Sequence, residues 1–99
     1  MSERIFRRVI IRGRVQGVGY RDWTRHVARE RGIEGWVRNR QDGSVEALFS
    51  APPDAIASMI AACRKGPSNA VVQSIEEHDS TATELGQRGE KNFVVLPTI

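Results

Sequence analysis

The spacing of apolar residues along the chain changes from a strand pattern to a helix pattern within the first 31 residues. Residues 5–15 alternate, with arginines on one face and apolar side chains on the other, namely Ile5, Val9, Ile11 and Val15. From Tyr20 to Arg31 the apolar positions follow the i, i+3, i+4, i+7 stripe of an amphipathic helix. Gly32 is placed to end this helix in a left-handed cap, and Ile33 to pack back against it.

The rest of the chain predicts two more strands, a second helix and two final strands. Asp42 and Gly43 form a hairpin signal between strand-like residues 32–39 and 44–49. The predicted elements that follow are a helix in 52–66 with Cys63 on its apolar stripe, a strand at 70–79, a polar loop or turn at 80–92 and a short strand at 93–97. We expect the last strand to lie at a sheet edge.

This order of elements predicts the fold class α+β. It is that of a ferredoxin-like split βαβ sandwich (β-α-β-β-α-β), an antiparallel sheet with two helices on one face and a short fifth strand. Residues 1–99 are expected to form a single domain, because 99 residues suit one small core. The first 13 residues resemble neither a signal peptide nor a membrane span, so we expect a cytoplasmic protein without a membrane partner.

Charge is concentrated in the N-terminal part of the chain. Residues 1–40 hold eleven arginines against four acidic residues, whereas residues 41–99 hold four basic and eight acidic residues. Arginine suits phosphate and carboxylate ligands, so an anionic ligand near the N-terminal half is one interpretation. A solvated basic surface is the alternative.

Residues 16–21 connect the first strand to the first helix and predict an anion-binding turn. Gly17 and Gly19 allow a tight turn and close ligand approach, while backbone N–H groups converge at the helix N-terminus. Arg21 adds a permanent positive charge there. Such a turn is more often geometry alone, and it matches neither the Walker A nor the dinucleotide-binding motif.

For the other candidate residues, the local sequence around each one predicts a structural role. Asn39, ahead of a hairpin, is typical of a turn. Cys63 is predicted to be a small buried apolar residue, and with no other cysteine there is no internal disulfide. We expect surface positions for His26 and His78 and core positions for Trp23 and Trp36, and no metal-ligand spacing is present.

Residues 13–49 combine two motifs that resemble the acylphosphatase family. These are "GRVQGVGYR" and, after the helix, "GWVRNRQDGSVE"; the second half of the chain resembles the family more loosely. The resemblance implies hydrolysis of the carboxyl-phosphate bond of a small-molecule acylphosphate, without metal or cofactor, to a carboxylate and inorganic phosphate. It also implies that Arg21 and Asn39 are catalytic, with Arg21 clamping phosphate and Asn39 orienting water. The phosphate-binding residues that it implies are Gln16, Gly17, Val18, Gly19, Tyr20 and Arg21.

Two alternatives belong to other classes of protein. Small basic ferredoxin-like domains can be non-catalytic anion-binding or RNA-binding modules, but "RGRVQGVG" lacks the aromatic residues of an RNA-binding strand. The chain also resembles the acylphosphatase-like domain of larger carbamoyl-transferring maturation proteins. A 99-residue chain with Arg21 and Asn39 in place favours a monomeric enzyme that phosphate inhibits competitively, and no nucleic-acid partner is expected.

Overall fold

The elements in the structure follow the hydrophobic pattern of the sequence. The computed structural model describes residues 3–86 and 92–99. Its elements are β1 (Ile5–Arg14), α1 (Tyr20–Glu30), β2 (Glu34–Asn39), β3 (Val45–Ala51), α2 (Pro53–Lys65), β4 (Val71–Asp79), α3 (Ala82–Leu85) and β5 (Phe93–Val95). The predicted β-α-β-β-α-β order and the ferredoxin-like fold are thereby confirmed.

The strands form one sheet in the order β4-β1-β3-β2-β5. Strands β1 to β4 pair antiparallel, as predicted. The last strand lies at the predicted edge, but it runs parallel to β2, which makes the sheet mixed. Because β5 is short, its backbone adds only three paired positions to β2, from Gly35 with Phe93 to Val37 with Val95.

The end of α1 adopts the cap that the sequence predicts. Gly32 has a φ of +68°, and its N–H donates to the carbonyl of Arg29 at 3.2 Å. The N–H of Ile33 donates to the carbonyl of Ala28 at 2.9 Å. These two bonds satisfy carbonyls that the helix itself leaves open, and they direct the buried Ile33 into the core.

The two longer helices cover one face of the sheet. Residues of α1 and α2 pack with the inward side chains of β1 and β3 in the main core, which contains Val9, Ile11, Tyr20, Phe49 and Met59. Cys63 is buried in the same core, as the apolar stripe predicts. No helix within residues 3–86 and 92–99 combines the length and the apolar character that spanning a bilayer requires.

A second, smaller cluster lies on the opposite face and is covered by α3. Trp36, Leu48 and Val94 are buried there, with Leu85 of α3 packed on them. The prediction of a loop over 80–92 was incomplete, since residues 82–85 form a short helix; residues 87–91 lie outside the described ranges. The sequence Thr81 to Glu84 carries the missed signal, because the threonine hydroxyl accepts a hydrogen bond from the N–H of Glu84.

Gly35 lets β2 approach β3 closely, and we predict that Gly35→Ala strongly destabilises the fold. Its φ is +150°, and a Cβ there would lie 1.8 Å from the carbonyl oxygen of Leu48. We expect a loss of about 3 kcal/mol in the free energy of unfolding, measured by urea denaturation. Gly86→Ala is the control, because no described residue other than its chain neighbours lies within 4 Å of its Cβ position. A change as small as the control's would contradict this account of the β2–β3 approach.

Candidate functional site

An open cavity of about 320 Å³ lies where β1 ends and α1 begins. Its lining residues come from the segment after β1, from α1, from β2 and from β5; they are Val15, Gln16, Gly17, Gly19, Tyr20, Arg21, Asp22, Arg25, Asn39 and Val95. Six of the seven predicted site residues are therefore brought together here. Val18 is not among the lining residues, and its partly buried side chain packs against the main core.

The backbone of residues 16–19 has the geometry that the two glycines predict. Gly17 has a φ of +73° and Gly19 a φ of +79°, and no described residue other than the chain neighbours lies within 4 Å of a Cβ built on either residue. A side chain at these positions would be strained, so glycine leaves the backbone accessible from the cavity. Gly19 is also the N-cap of α1 and supplies no side-chain hydrogen bond to the helix. The first N–H groups of α1 therefore remain available to an anion.

Tyr20 fixes the start of α1 to the core. Its side chain is 1% exposed, and its hydroxyl donates to the carbonyl of Cys63 at 2.6 Å. Burial is the main cause that raises the pKa of Tyr20 above its usual range, so the phenol stays neutral. The tyrosine side chain thus acts as an anchor, and its backbone N–H is the group that it can offer to a ligand.

Gln16 joins the start of the 16–21 segment to the turn between β2 and β3. Its Nε2 donates to the carbonyl of Arg40 and to that of Ser44, each at 2.8 Å. Both side-chain donors are therefore used within the protein, and the backbone N–H is what Gln16 can contribute to an anion site. The same turn is closed by Asp42, whose carboxylate accepts from the N–H of Ser44 at 2.9 Å.

Asn39 ends β2 and lines the cavity, and its side-chain oxygen is unsatisfied. Its Oδ1 is buried and has no hydrogen-bond partner among the residues that the structure describes. The backbone around it is fixed, since the N–H of Ile99 donates to the carbonyl of Asn39 at 3.2 Å. The N–H of Gln41 in turn donates to the carbonyl of Ile99 at 2.8 Å. A buried acceptor without a partner costs about 1–3 kcal/mol, so this oxygen is suited to a water or ligand in the cavity.

Arg21 carries a positive charge that forms no ion pair with a carboxylate in the described part of the chain. Within residues 3–86 and 92–99, Arg14 and Arg21 are the arginines with neither an ion pair nor a side-chain hydrogen bond. Arg14 is exposed, whereas Arg21 is partly buried and lines the cavity. The guanidinium of Arg21 is therefore free to bind an anion that enters beside the N-terminus of α1.

Sequence reasoning missed four of the lining residues: Val15, Asp22, Arg25 and Val95. The signal for Arg25 was present, because a residue four positions after Arg21 lies on the same face of a helix. Val95 could not be found this way, since its place depends on the pairing of β5 with β2.

The other residues considered from the sequence lie outside the cavity. His26 and His78 are exposed, as predicted. Trp36 is buried, and Trp23 is partly buried against the main core. Burial raises the pKa of the Cys63 thiol to about 12, so it is not a nucleophile at neutral pH. In the described part of the chain, no three His, Cys, Asp or Glu side chains are grouped closely enough to hold a metal ion.

We predict that Gln16→Met destabilises the protein by about 2 kcal/mol. Methionine has a similar length but cannot donate, which leaves the carbonyls of Arg40 and Ser44 without this partner. Urea denaturation measures the effect, and Gln73→Met on the exposed side of β4 is the matched control. If both variants unfold with the same free energy, the two hydrogen bonds of Gln16 do not stabilise the fold.

Comparison with known proteins shows the family to which the chain belongs. The acylphosphatase family model matches residues 7–93. An acylphosphatase of Bradyrhizobium diazoefficiens is 56% identical over 92% of this chain and 93% of its own, and one of Nitrobacter hamburgensis is 50% identical over 96% and 97%. The crystal structure of acylphosphatase from Bacillus subtilis is similar with a TM-score of 0.82, at 36% identity over 93% of this chain and 98% of that one. The chain belongs to the acylphosphatase family.

Proposed function

We propose that this protein is an acylphosphatase in which the 16–21 segment binds the phosphoryl group and Asn39 positions the attacking water. The products are a carboxylate and inorganic phosphate. One observation carries the proposal: Asn39, whose buried Oδ1 lacks a partner among the described residues, lines the same cavity as Arg21, which forms no ion pair with them. An acceptor for water and a cation for phosphate are the two groups that this hydrolysis needs.

Arg21 and the N–H groups at the start of α1 stabilise the phosphoryl group. The guanidinium donates two parallel hydrogen bonds to phosphoryl oxygens, and the backbone donors of residues 16–21 hold the remaining ones. Negative charge spreads over these oxygens in the transition state, and donors that are already in place stabilise it without reorganisation. The buried Tyr20 and the bonds of Gln16 keep the donors in position.

Asn39 accepts a hydrogen bond from the attacking water through Oδ1. This bond satisfies the buried oxygen and turns a lone pair of the water toward phosphorus. The water oxygen bonds to phosphorus while the bond from phosphorus to the acyl oxygen breaks, and its electron pair leaves with the carboxylate. The proton of the water passes to a phosphoryl oxygen of the substrate. No side chain has to change its protonation state in these steps.

The partners expected from the sequence are part of this proposal. The substrate is a small-molecule acylphosphate, and inorganic phosphate inhibits as a competing product. The protein acts as a cytoplasmic monomer, without metal or cofactor.

A nucleic-acid-binding function is not favoured. Recognition on a ferredoxin-like sheet uses exposed aromatic residues on the face opposite the helices. Trp36 on that face is fully buried, and its Nε1 donates to the carbonyl of Glu84 in α3 at 2.9 Å. The buried Glu46 of the same face pairs with Arg8 at 3.0 Å and with Arg38 at 2.8 Å. These contacts close the surface on which bases would stack.

We predict that Asn39→Ala lowers kcat for benzoyl phosphate about a thousandfold while inhibition by phosphate changes little. The substitution removes the acceptor for water but leaves Arg21 and the backbone donors in place. Hydrolysis is followed in EDTA, with inorganic phosphate as the competitor, and Asn69→Ala in the exposed turn after α2 is the control. Equal loss of phosphate binding would make Asn39 a phosphate ligand instead. A folded wild-type chain that binds phosphate without hydrolysing benzoyl phosphate would contradict the enzymatic function.

We predict that Arg21→Lys lowers kcat/KM by about a hundredfold or more and also weakens phosphate inhibition. An ammonium group keeps the charge but cannot form two parallel hydrogen bonds with phosphoryl oxygens. Arg14→Lys is a matched control, because Arg14 also lacks a partner but is exposed outside the cavity. Steady-state kinetics of both variants distinguish a requirement for two parallel hydrogen bonds from a requirement for positive charge alone. Similar activity in both would show that net charge suffices.

A further inference from the structure

The cavity contains a second guanidinium, which the proposed mechanism does not use. Arg25 lies four residues after Arg21 in α1, and both line the cavity. Residues at this spacing are neighbours on one helix face, separated by about 6 Å along the axis. Arg25 therefore lies one helical turn farther from the phosphate-binding end of α1 than Arg21 does.

Arg25 is held by a partner that a ligand can replace. Its guanidinium lies 3.0 Å from Oδ1 of Asp22, which also lines the cavity. The side chains of Arg25 and Asp22 are 41% and 80% exposed, and an ion pair with this much exposure is weak because water screens it. An anionic group that enters the cavity can take the place of Asp22 at little cost.

The cavity has room for more than a phosphoryl group. Its volume of about 320 Å³ falls at the lower end of the range for pockets that hold whole small molecules. With the phosphoryl group beside Arg21, volume is left for the acyl part of a substrate. Besides Arg21, Arg25 and Asp22 are the charged residues that line the cavity.

We propose that Arg25 determines substrate specificity, by binding a second anionic group on the acyl part of the acylphosphate. The favoured substrates are acylphosphates that carry a carboxylate or phosphate about one helical turn from the phosphoryl group. This proposal rests on the proposed function and extends it to the acyl end of the substrate.

Asp22 sets the degree of preference. A neutral acyl group leaves the pair of Arg25 and Asp22 intact and gains no charged contact. An anionic acyl group competes with Asp22 for the guanidinium and is also repelled by the carboxylate itself. Removing the charge of Asp22 is therefore expected to increase the preference for anionic substrates, whereas removing that of Arg25 abolishes it.

The experiment compares benzoyl phosphate with 4-carboxybenzoyl phosphate, in which a benzene ring separates the second anion from the acylphosphate. We expect Arg25→Gln to lower the ratio of kcat/KM for the carboxylated over the plain substrate about fivefold. Asp22→Asn is expected to raise this ratio. Arg64→Gln is the matched control, since Arg64 is an exposed arginine of α2 with an ion pair to Glu77 and does not line the cavity. It should leave the ratio unchanged.

A binding measurement separates this proposal from the hydrolytic function. Calorimetry gives the dissociation constants of benzylphosphonate and 4-carboxybenzylphosphonate without any turnover. We expect Arg25→Gln to lower the preference for the carboxylated phosphonate over the plain one, as it does for the substrates. If Arg25→Gln and Arg64→Gln change both ratios equally, the effect is one of net charge and the proposal is wrong. If wild-type protein hydrolyses neither substrate, the proposed function fails, while the phosphonates still show whether Arg25 selects for the second anion.

Discussion

The register of β3 is the constraint on which the site depends. Val45 pairs with Ile11 of β1 on one side and with Asn39 of β2 on the other. The end of β1, which leads into the 16–21 segment, thereby lies at the same edge of the sheet as the end of β2, with the start of β3 between them. A slip of one residue would turn every side chain of β3 to the opposite face. All seven residues of β3 are buried, so such a slip would put Glu46 among the apolar residues under the helices.

Three contacts convert this placement into a rigid site. Gln16 ties the segment before α1 to the turn after β2, and Tyr20 ties the first residue of α1 to α2. The carbonyl of Ile99 accepts a hydrogen bond from the N–H of Gln41, and the N–H of Ile99 donates one to the carbonyl of Asn39. A site of this type works through positioning more than through ionising groups, so its geometry must be set before the substrate arrives. The protein meets this demand with neutral hydrogen bonds, which are insensitive to pH near neutrality.

Local signals in the sequence predicted much of this structure. The cap at Gly32, the turn at Gly17 and Gly19 and the buried position of Cys63 follow from short-range pattern. The role of Gln16 did not, because its two acceptors lie in a turn that only the β1–β3 pairing brings near. The parallel direction of β5 also depends on distant pairing. For the catalytic roles of Arg21 and Asn39, motif resemblance supplied the hypothesis, and both remain predictions.

The contact of residues 96–99 with the end of β2 has a consequence for the order of assembly. Residues 96–99 follow in sequence all the elements that they contact, so the hydrogen bonds of Ile99 to Asn39 and Gln41 form only after these residues have been synthesised. The hydrogen bonds of Ile99 join positions far apart in sequence, and such contacts form late because closing the intervening loop costs entropy. A nascent chain can therefore contain the entire 16–21 segment and β2 and still lack a formed cavity. The geometry of the cavity in this fold therefore depends on the segment that follows β5 as well as on the residues that line it.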